Sequence, residues 1–274
     1  MRKVIVIGAT VLLAIVLVSC GPSSTGTGSG SPSAAPTTTL TSNGDTPSTT
    51  LTFNAPSTSK PVLPPTTTRP PTEEKEFLMQ PGARGLPVEQ LQLQLKNNGY
   101  DPGPIDGQYG AGVQAAVRAF QRVNDLDGDG LVGPLTLAAF DHPKKIEPMR
   151  PDGPPNRVEV SISRKLLVKY VDGAPAIITH ISSGSEIPFC ENGVCGDAVT
   201  PVGDFTAIMK IDGWEQGPLG DMFNSVYFWP AYAIHGSPNV PDVGMSHGCV
   251  RIPMHIAEYF PSMIKHGEPI YIMA

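Results

Sequence analysis

Arg157-Val158-Glu159-Val160-Ser161-Ile162-Ser163 places an aliphatic residue at every second position and a polar one between. That period of two sends alternate side chains to opposite faces of an extended chain, as a strand with one face against a core requires. Toward the C-terminus, Lys165 to Val171, Pro175 to Ser182, Asp204 to Ile211 and Pro269 to Met273 read the same way, with Gly and Pro between them. One helix is expected, near Met254 to Lys265. Residues 155–274 therefore form a mostly-β domain of about 120 residues, long enough for its own core.

Toward the N-terminus the period changes. In 82–145, Leu91, Leu93 and Leu95 lie in a segment from Pro87 to Asn97 that ends before Gly99. Val113, Ala116, Val117 and Phe120 recur at helical spacing, and a short third helix follows Pro134. Asp106-Gly107-Gln108-Tyr109-Gly110 and Asp129-Gly130-Leu131-Val132-Gly133 are two copies of Asp-Gly-x-x-Gly, each leading into a helix. Glycine there admits positive φ, and the Asp can bond nearby amides. Asp125, Asp127 and Asp129 followed by Gly130 imitate the start of a calcium loop. The twelfth position is Thr136, where such a loop needs a bidentate Glu, so an interhelical turn is the expectation. The fold class is α+β multidomain: a small three-helix module, then a β-sandwich-like domain.

Residues 21–80 read as a linker. Ser, Thr, Pro and Gly fill 39 of the 52 positions from 21 to 72, which leaves too little apolar surface to offset chain entropy. A coil of that length spans roughly 40 Å. Before it, Arg2 and Lys3 precede an apolar run from Val4 to Val18, short for a membrane span and suited to a signal peptide. Leu17-Val18-Ser19-Cys20 resembles the bacterial lipoprotein signal, which implies that residues 1–20 end at a lipidated Cys20 and that the exported chain is held at the outer face of the cytoplasmic membrane. The net charge of −6 and pI near 5.5 give no basic footprint for nucleic acid.

Export changes how the other cysteines read. Cys190 and Cys195 flank the turn-forming Glu191-Asn192-Gly193-Val194 and suit a small disulfide, which leaves Cys249 as a free thiol. If a strand begins at Cys249, then Val250 and Ile252 face the core while Cys249 and Arg251 share the opposite face. A thiol attacks a carbonyl well only with a base or cation in reach. His247 is two residues from Cys249 across Gly248, a poor angle, so His235 is the expected base, with a carbonyl of Gly236 or Ser237 orienting its ring. The amides of Gly248 and Cys249 are candidates for an oxyanion hole. A zinc site from His235, His247 and Cys249 lacks a fourth ligand and familiar spacing, so no metal or cofactor is expected.

Two resemblances follow from these residues. Leu91 to Leu95, Gly99-Tyr100, Asp106-Gly107, Ala116-Val117, Phe120-Gln121 and Asp129 to Thr136 resemble the peptidoglycan-binding-like three-helix domain, which can also serve as a spacer. Thr200-Pro201-Val202-Gly203-Asp204-Phe205, Ile234-His235-Gly236, Ser246-His247-Gly248-Cys249-Val250-Arg251-Ile252 and the closing Gly267 to Ile272 resemble an L,D-transpeptidase catalytic domain. That resemblance implies a Cys249 acyl-enzyme on peptidoglycan stem tetrapeptides, release of D-Ala and 3-3 cross-linking. It also implies His235 as base, with Ser246, His247, Gly248, Arg251 and Gly236 as oxyanion or substrate contacts and carbapenem-type β-lactams as covalent inhibitors. Two features depart from the pattern: only ten residues separate His235 from Ser246, and Arg251 stands where many members have Asn. Attack by water would make the enzyme an L,D-carboxypeptidase, and attack by a protein amine a protein-attaching enzyme. A non-catalytic wall-binding lipoprotein is the reading from another class. Trp214, Tyr227, Phe228 and Trp229 fit either a lid over the site or the core.

Overall fold

The computed structural model describes residues 78–274, so the signal peptide, Cys20 and nearly all of the linker lie outside the described residues. The linker's expected end at residue 80 is corrected. The Leu78 and Met79 amides donate to the Val132 carbonyl at 2.8 and 3.2 Å, and the Val132 amide returns a bond to Met79 at 2.8 Å.

Three helices follow, α1 Leu86–Asn97, α2 Ala111–Val123 and α3 Pro134–Asp141. In α1, Leu91 and Leu95 are buried and Leu93 is exposed, because residues two apart cannot share a helix face. Each Asp-Gly turn is held by one buried glutamine. The Gln92 amide group donates to Asp106 Oδ1 at 2.9 Å and accepts from the Gly107 amide at 2.9 Å. Gln121 repeats the device, donating to Asp129 Oδ1 at 2.9 Å and accepting from the Gly130 amide at 2.9 Å. Thr136, at the position where a calcium loop needs Glu, is buried and accepts from Gln121 at 3.1 Å.

The β domain has two main sheets. The first contains β1 Arg157–Ser161, β2 Leu166–Val171, β3 Ala174–His180, β6 Gly203–Thr206 and β11 Pro269–Met273, in the order β3-β2-β1-β11-β6. The second contains β7 Met209–Gly217, β8 Gly220–Trp229, β9 Tyr232–Ser237 and β10 Val250–Pro253, in the order β10-β9-β8-β7. A separate hairpin pairs β4 Pro188–Glu191 with β5 Val194–Asp197. Val158, Val160, Leu167, Ile270 and Ile272 of the first sheet meet Val226, Phe228, Ile234, Val250 and Ile252 of the second in one sandwich core.

Two expected elements come out differently. Asp204 to Ile211 is split: the chain leaves the first sheet after Thr206, turns through buried Ala207 and enters the second at Met209. The helix over Met254 to Lys265 shrinks to one turn, α4 Met254–Ala257, followed by a 3₁₀ turn at Phe260–Met263. Pro261 has no amide hydrogen to give to a helix there.

β2 is buried on both faces. Leu167 packs into the sandwich, while Leu166, Val168 and Tyr170, with Ile178 of β3, join Val113, Val117 and Phe120 of the helical module in a second core. Polar contacts rim this junction. Arg122 grips both carboxylate oxygens of Asp242 at 2.7 and 2.8 Å, and the Tyr259 hydroxyl donates to Asp101 at 2.8 Å. The lysine in the middle of β2 is also buried: Lys169 Nζ meets Glu268 at 2.5 Å.

Candidate active site

β9 and β10 run parallel, with Arg251 beside His235 and Val250 beside Ile234. Ile234, Val250 and Ile252 are fully buried in the sandwich, so the alternate set, His235 and Arg251, points the other way into a cleft of about 390 Å³. Cys249 immediately precedes β10 and lines the same cleft. Its Sγ lies 3.5 Å from the Ala233 amide nitrogen and 3.9 Å from the Ala231 carbonyl.

The approach to Cys249 is built around Gly248. Its φ of +131° is left-handed, and a Cβ there would sit 2.5 Å from the Tyr232 ring and 2.8 Å from the Val199 carbonyl. Gly248→Ala is therefore expected to displace the thiol and cost at least about 100-fold in activity, the scale of a misplacement on the order of 1 Å. A variant with wild-type turnover would refute this.

Ser246 is 3% exposed, and its hydroxyl donates to the Cys249 carbonyl at 2.5 Å while accepting from the Gly248 amide at 3.0 Å. The Gly248 amide, expected as an oxyanion donor, is thus occupied by Ser246. Thr200 completes the brace with a 2.8 Å bond to the Gly248 carbonyl. His247 packs edge-on against Phe189 at 4.6 Å, and its Nε2 lies 3.4 Å from Glu191. Gly236, expected among the oxyanion or substrate contacts, lies behind the cleft against Ala257 and Phe223. There its carbonyl serves the histidine instead.

His235 Nδ1 is 3.0 Å from the Gly236 carbonyl. A carbonyl can only accept, so Nδ1 carries the proton and Nε2 keeps its lone pair. Burial pushes the imidazole pKa down to about 4, aided by Arg251 and opposed by the Gly236 carbonyl and Glu215. Burial also pushes the Cys249 thiol up, opposed by the Ala233 amide and Arg251. Near neutrality the resting pair is thiol and neutral imidazole.

Two hairpins wall the cleft. β7 and β8 form a long arm whose Glu215, Met222 and Tyr227 face the site. β4 and β5 are joined by the Cys190–Cys195 disulfide and carry Phe189 and Glu191 onto His247. The arms touch where Asn192 Nδ2 donates to the Pro218 carbonyl at 2.8 Å. The aromatic stretch divides: Tyr227 lines the cleft, Phe228 joins the core, and Trp214 and Trp229 are exposed. Sequence reasoning missed Glu215 and Met222. Neither strand keeps a clean apolar–polar alternation, and only the alternating burial along β7 marks Glu215 as inward-facing. Among the described residues, no group of His, Cys, Asp and Glu is arranged to hold a metal ion.

Both folded regions match known families. Residues 84–140 match the family described as "Putative peptidoglycan binding domain", and residues 155–272 match the L,D-transpeptidase catalytic domain family. The solved L,D-transpeptidase (residues 123–326) of Xylanimonas cellulosilytica is 34% identical with a TM-score of 0.66, over 72% of this chain and 97% of that one. The spore cortex-lytic enzyme of Bacillus subtilis is 50% identical over 60 residues, 22% of this chain. The spore cortex-lytic enzyme of Bacillus cereus is 44% identical over 59 residues. These matches span only 20% and 23% of the two curated relatives.

Proposed function

Because the chain belongs to the L,D-transpeptidase family, we propose that it exchanges one amide bond for another on peptidoglycan stem tetrapeptides through a Cys249 thioester. Cys249 Sγ attacks the carbonyl before the terminal D-Ala as His235 Nε2 takes the thiol proton. The C–N bond breaks, and His235 hands that proton to the departing D-Ala amine. The amine of a neighbouring stem then attacks the thioester. The C–S bond breaks, a 3-3 cross-link forms, and a proton returns to sulfur by way of His235. The observation that carries this reading is the Gly236 carbonyl on His235 Nδ1, which leaves Nε2 as the acceptor in the cleft that holds Cys249.

The test is to incubate the full chain with tetrapeptide muropeptides and record protein and product masses. Loss of D-Ala with a cross-linked dimer is expected. Loss of D-Ala alone would convert the reading to hydrolysis, and no change in either mass would end it. A mass adduct of a carbapenem on Cys249 is expected from the same nucleophile.

The two neutral partners fix the pH dependence of acylation. His235 serves as a base only when unprotonated, so the rate should rise as pH climbs through about 4. With a thiol pushed up by burial, no descending limb should follow between about pH 6 and 9, unlike a preformed thiolate–imidazolium pair, which loses its imidazolium there. Stopped-flow acylation across this range checks the profile, and a fall above pH 7 would contradict it.

We place the enzyme at the outer face of the cytoplasmic membrane, tethered by lipid on Cys20. Support comes from Arg2, Lys3, the apolar run to Val18 and the cysteine that follows Ser19. Among the described residues, no helix is long and apolar enough to cross a membrane.

A further inference from the structure

The β7–β8 arm holds a carboxylate that the acylation chemistry does not use. Glu215 accepts a hydrogen bond from the Tyr227 hydroxyl on Oε1 at 2.8 Å, while its Oε2 is buried with no hydrogen-bond partner. Burial and the neighbouring Glu215 keep the Tyr227 hydroxyl protonated, so the phenol stays a donor and fixes the carboxylate in place. A buried oxygen without a donor carries a desolvation cost, which a cationic or N–H ligand would offset. Glu215 lines the same cleft as Cys249 and Arg251. Arg251 is half-buried there, and no carboxylate lies within ion-pair distance of its guanidinium among the described residues. One cleft thus presents a carboxylate oxygen and a guanidinium beside the nucleophile, neither neutralising the other.

Resting on the reading above, we propose that Glu215 selects the acceptor: its free oxygen binds the ammonium of the incoming amine while Arg251 takes the adjoining carboxylate. The preferred acceptor is then an α-amino-carboxylate head group, and water, which matches neither charge, competes poorly for the thioester. Glu215 makes and breaks no covalent bond. The ammonium loses one proton to solvent before attack, and the amine's second proton travels through His235 to the cysteine sulfur.

The test partitions the acyl-enzyme of the full chain between two acceptors. One is free meso-diaminopimelic acid, a diamino acid. The other is hydroxylamine, which is uncharged at pH 7.5 and captures thioesters without needing Glu215. The ratio of the two products is read by mass spectrometry. Glu215→Gln is expected to lower the ratio by about tenfold, the scale of a lost charge-assisted contact. Glu215→Asp, which keeps the charge but withdraws it by one methylene, should fall between the two. If both products decline together with the ratio unchanged, the role of Glu215 is structural and the proposal is overturned. If Glu215→Gln does not fold, an unchanged ratio in Glu215→Asp overturns it equally. A wild-type chain that forms no acyl-enzyme at all would defeat the transpeptidase reading itself, a different failure from an acyl-enzyme whose partition ignores Glu215.

Discussion

Cys249→Ala is expected to stop D-Ala release from tetrapeptide stems, a loss on the order of 10⁴-fold or more, the scale seen when a covalent nucleophile is removed. The substitution deletes one sulfur whose neighbours stand 3.5 to 4.0 Å away, so the cleft walls need not move. The variant should therefore melt like the wild type and lose the carbapenem adduct in the same step. Cys249→Ser should also fail, because a hydroxyl beside an imidazole whose pKa has been pushed down to about 4 meets a weak base. A thiol, being more acidic, can still give up its proton to that base. The sharpest contrast is with a chain that only tethers the wall. Such a chain would bind sacculi equally well with Ala at position 249, and an unchanged product pattern would show that this is all it does.

Removing the helical module, by starting the chain at residue 146, is expected to leave the β domain aggregated or unfolded. Leu166, Val168 and Tyr170 on β2 and Ile178 on β3 are between 0 and 6% exposed, and the module supplies the opposing surface. Burying four such side chains is worth about 6 to 12 kcal/mol at about 1.5–3 kcal/mol each. A whole domain is stable by only about 5–15 kcal/mol. A spacer could be cut away without consequence, and these magnitudes say that this module is not one. Size-exclusion chromatography and a thermal melt decide the matter. A soluble monomer melting within a few degrees of the intact chain would contradict the shared core.

The strand pattern in Arg157 to Ser163 and the helical spacing of Val113 to Phe120 were legible because each repeats a residue type with the period of its backbone. Cys249, Arg251 and His235 could be set on the cleft face from sequence because they alternate with the apolar Val250, Ile252 and Ile234. What the sequence could not carry is partnership. The double burial of β2 looks like a single apolar stretch, and nothing in it says that its second face belongs to a helix more than 40 residues earlier. Glu215 reads as one charge among glycines until Tyr227, twelve positions away, turns its hydroxyl onto it. The Gly248 amide looked free because the Ser246 hydroxyl that occupies it is a local contact with no periodic signature. Pro261 was visible, yet its effect on the expected helix depended on a turn that only the packed structure required.

The face that α2 lends to β2 also changes what sort of part the N-terminal module is. A portable domain can be grafted between proteins by cutting in the linkers, because nothing greasy is exposed at the cut. Here the seam runs through a core, with Phe120 and Val168 in one cluster. A chimaera that borrows this catalytic domain must bring the helices with it, or repaint the outer face of β2 with polar side chains. By the same constraint, a lineage that exchanged the module for another could do so only after its sheet had acquired such a face, so the two halves are expected to be inherited together.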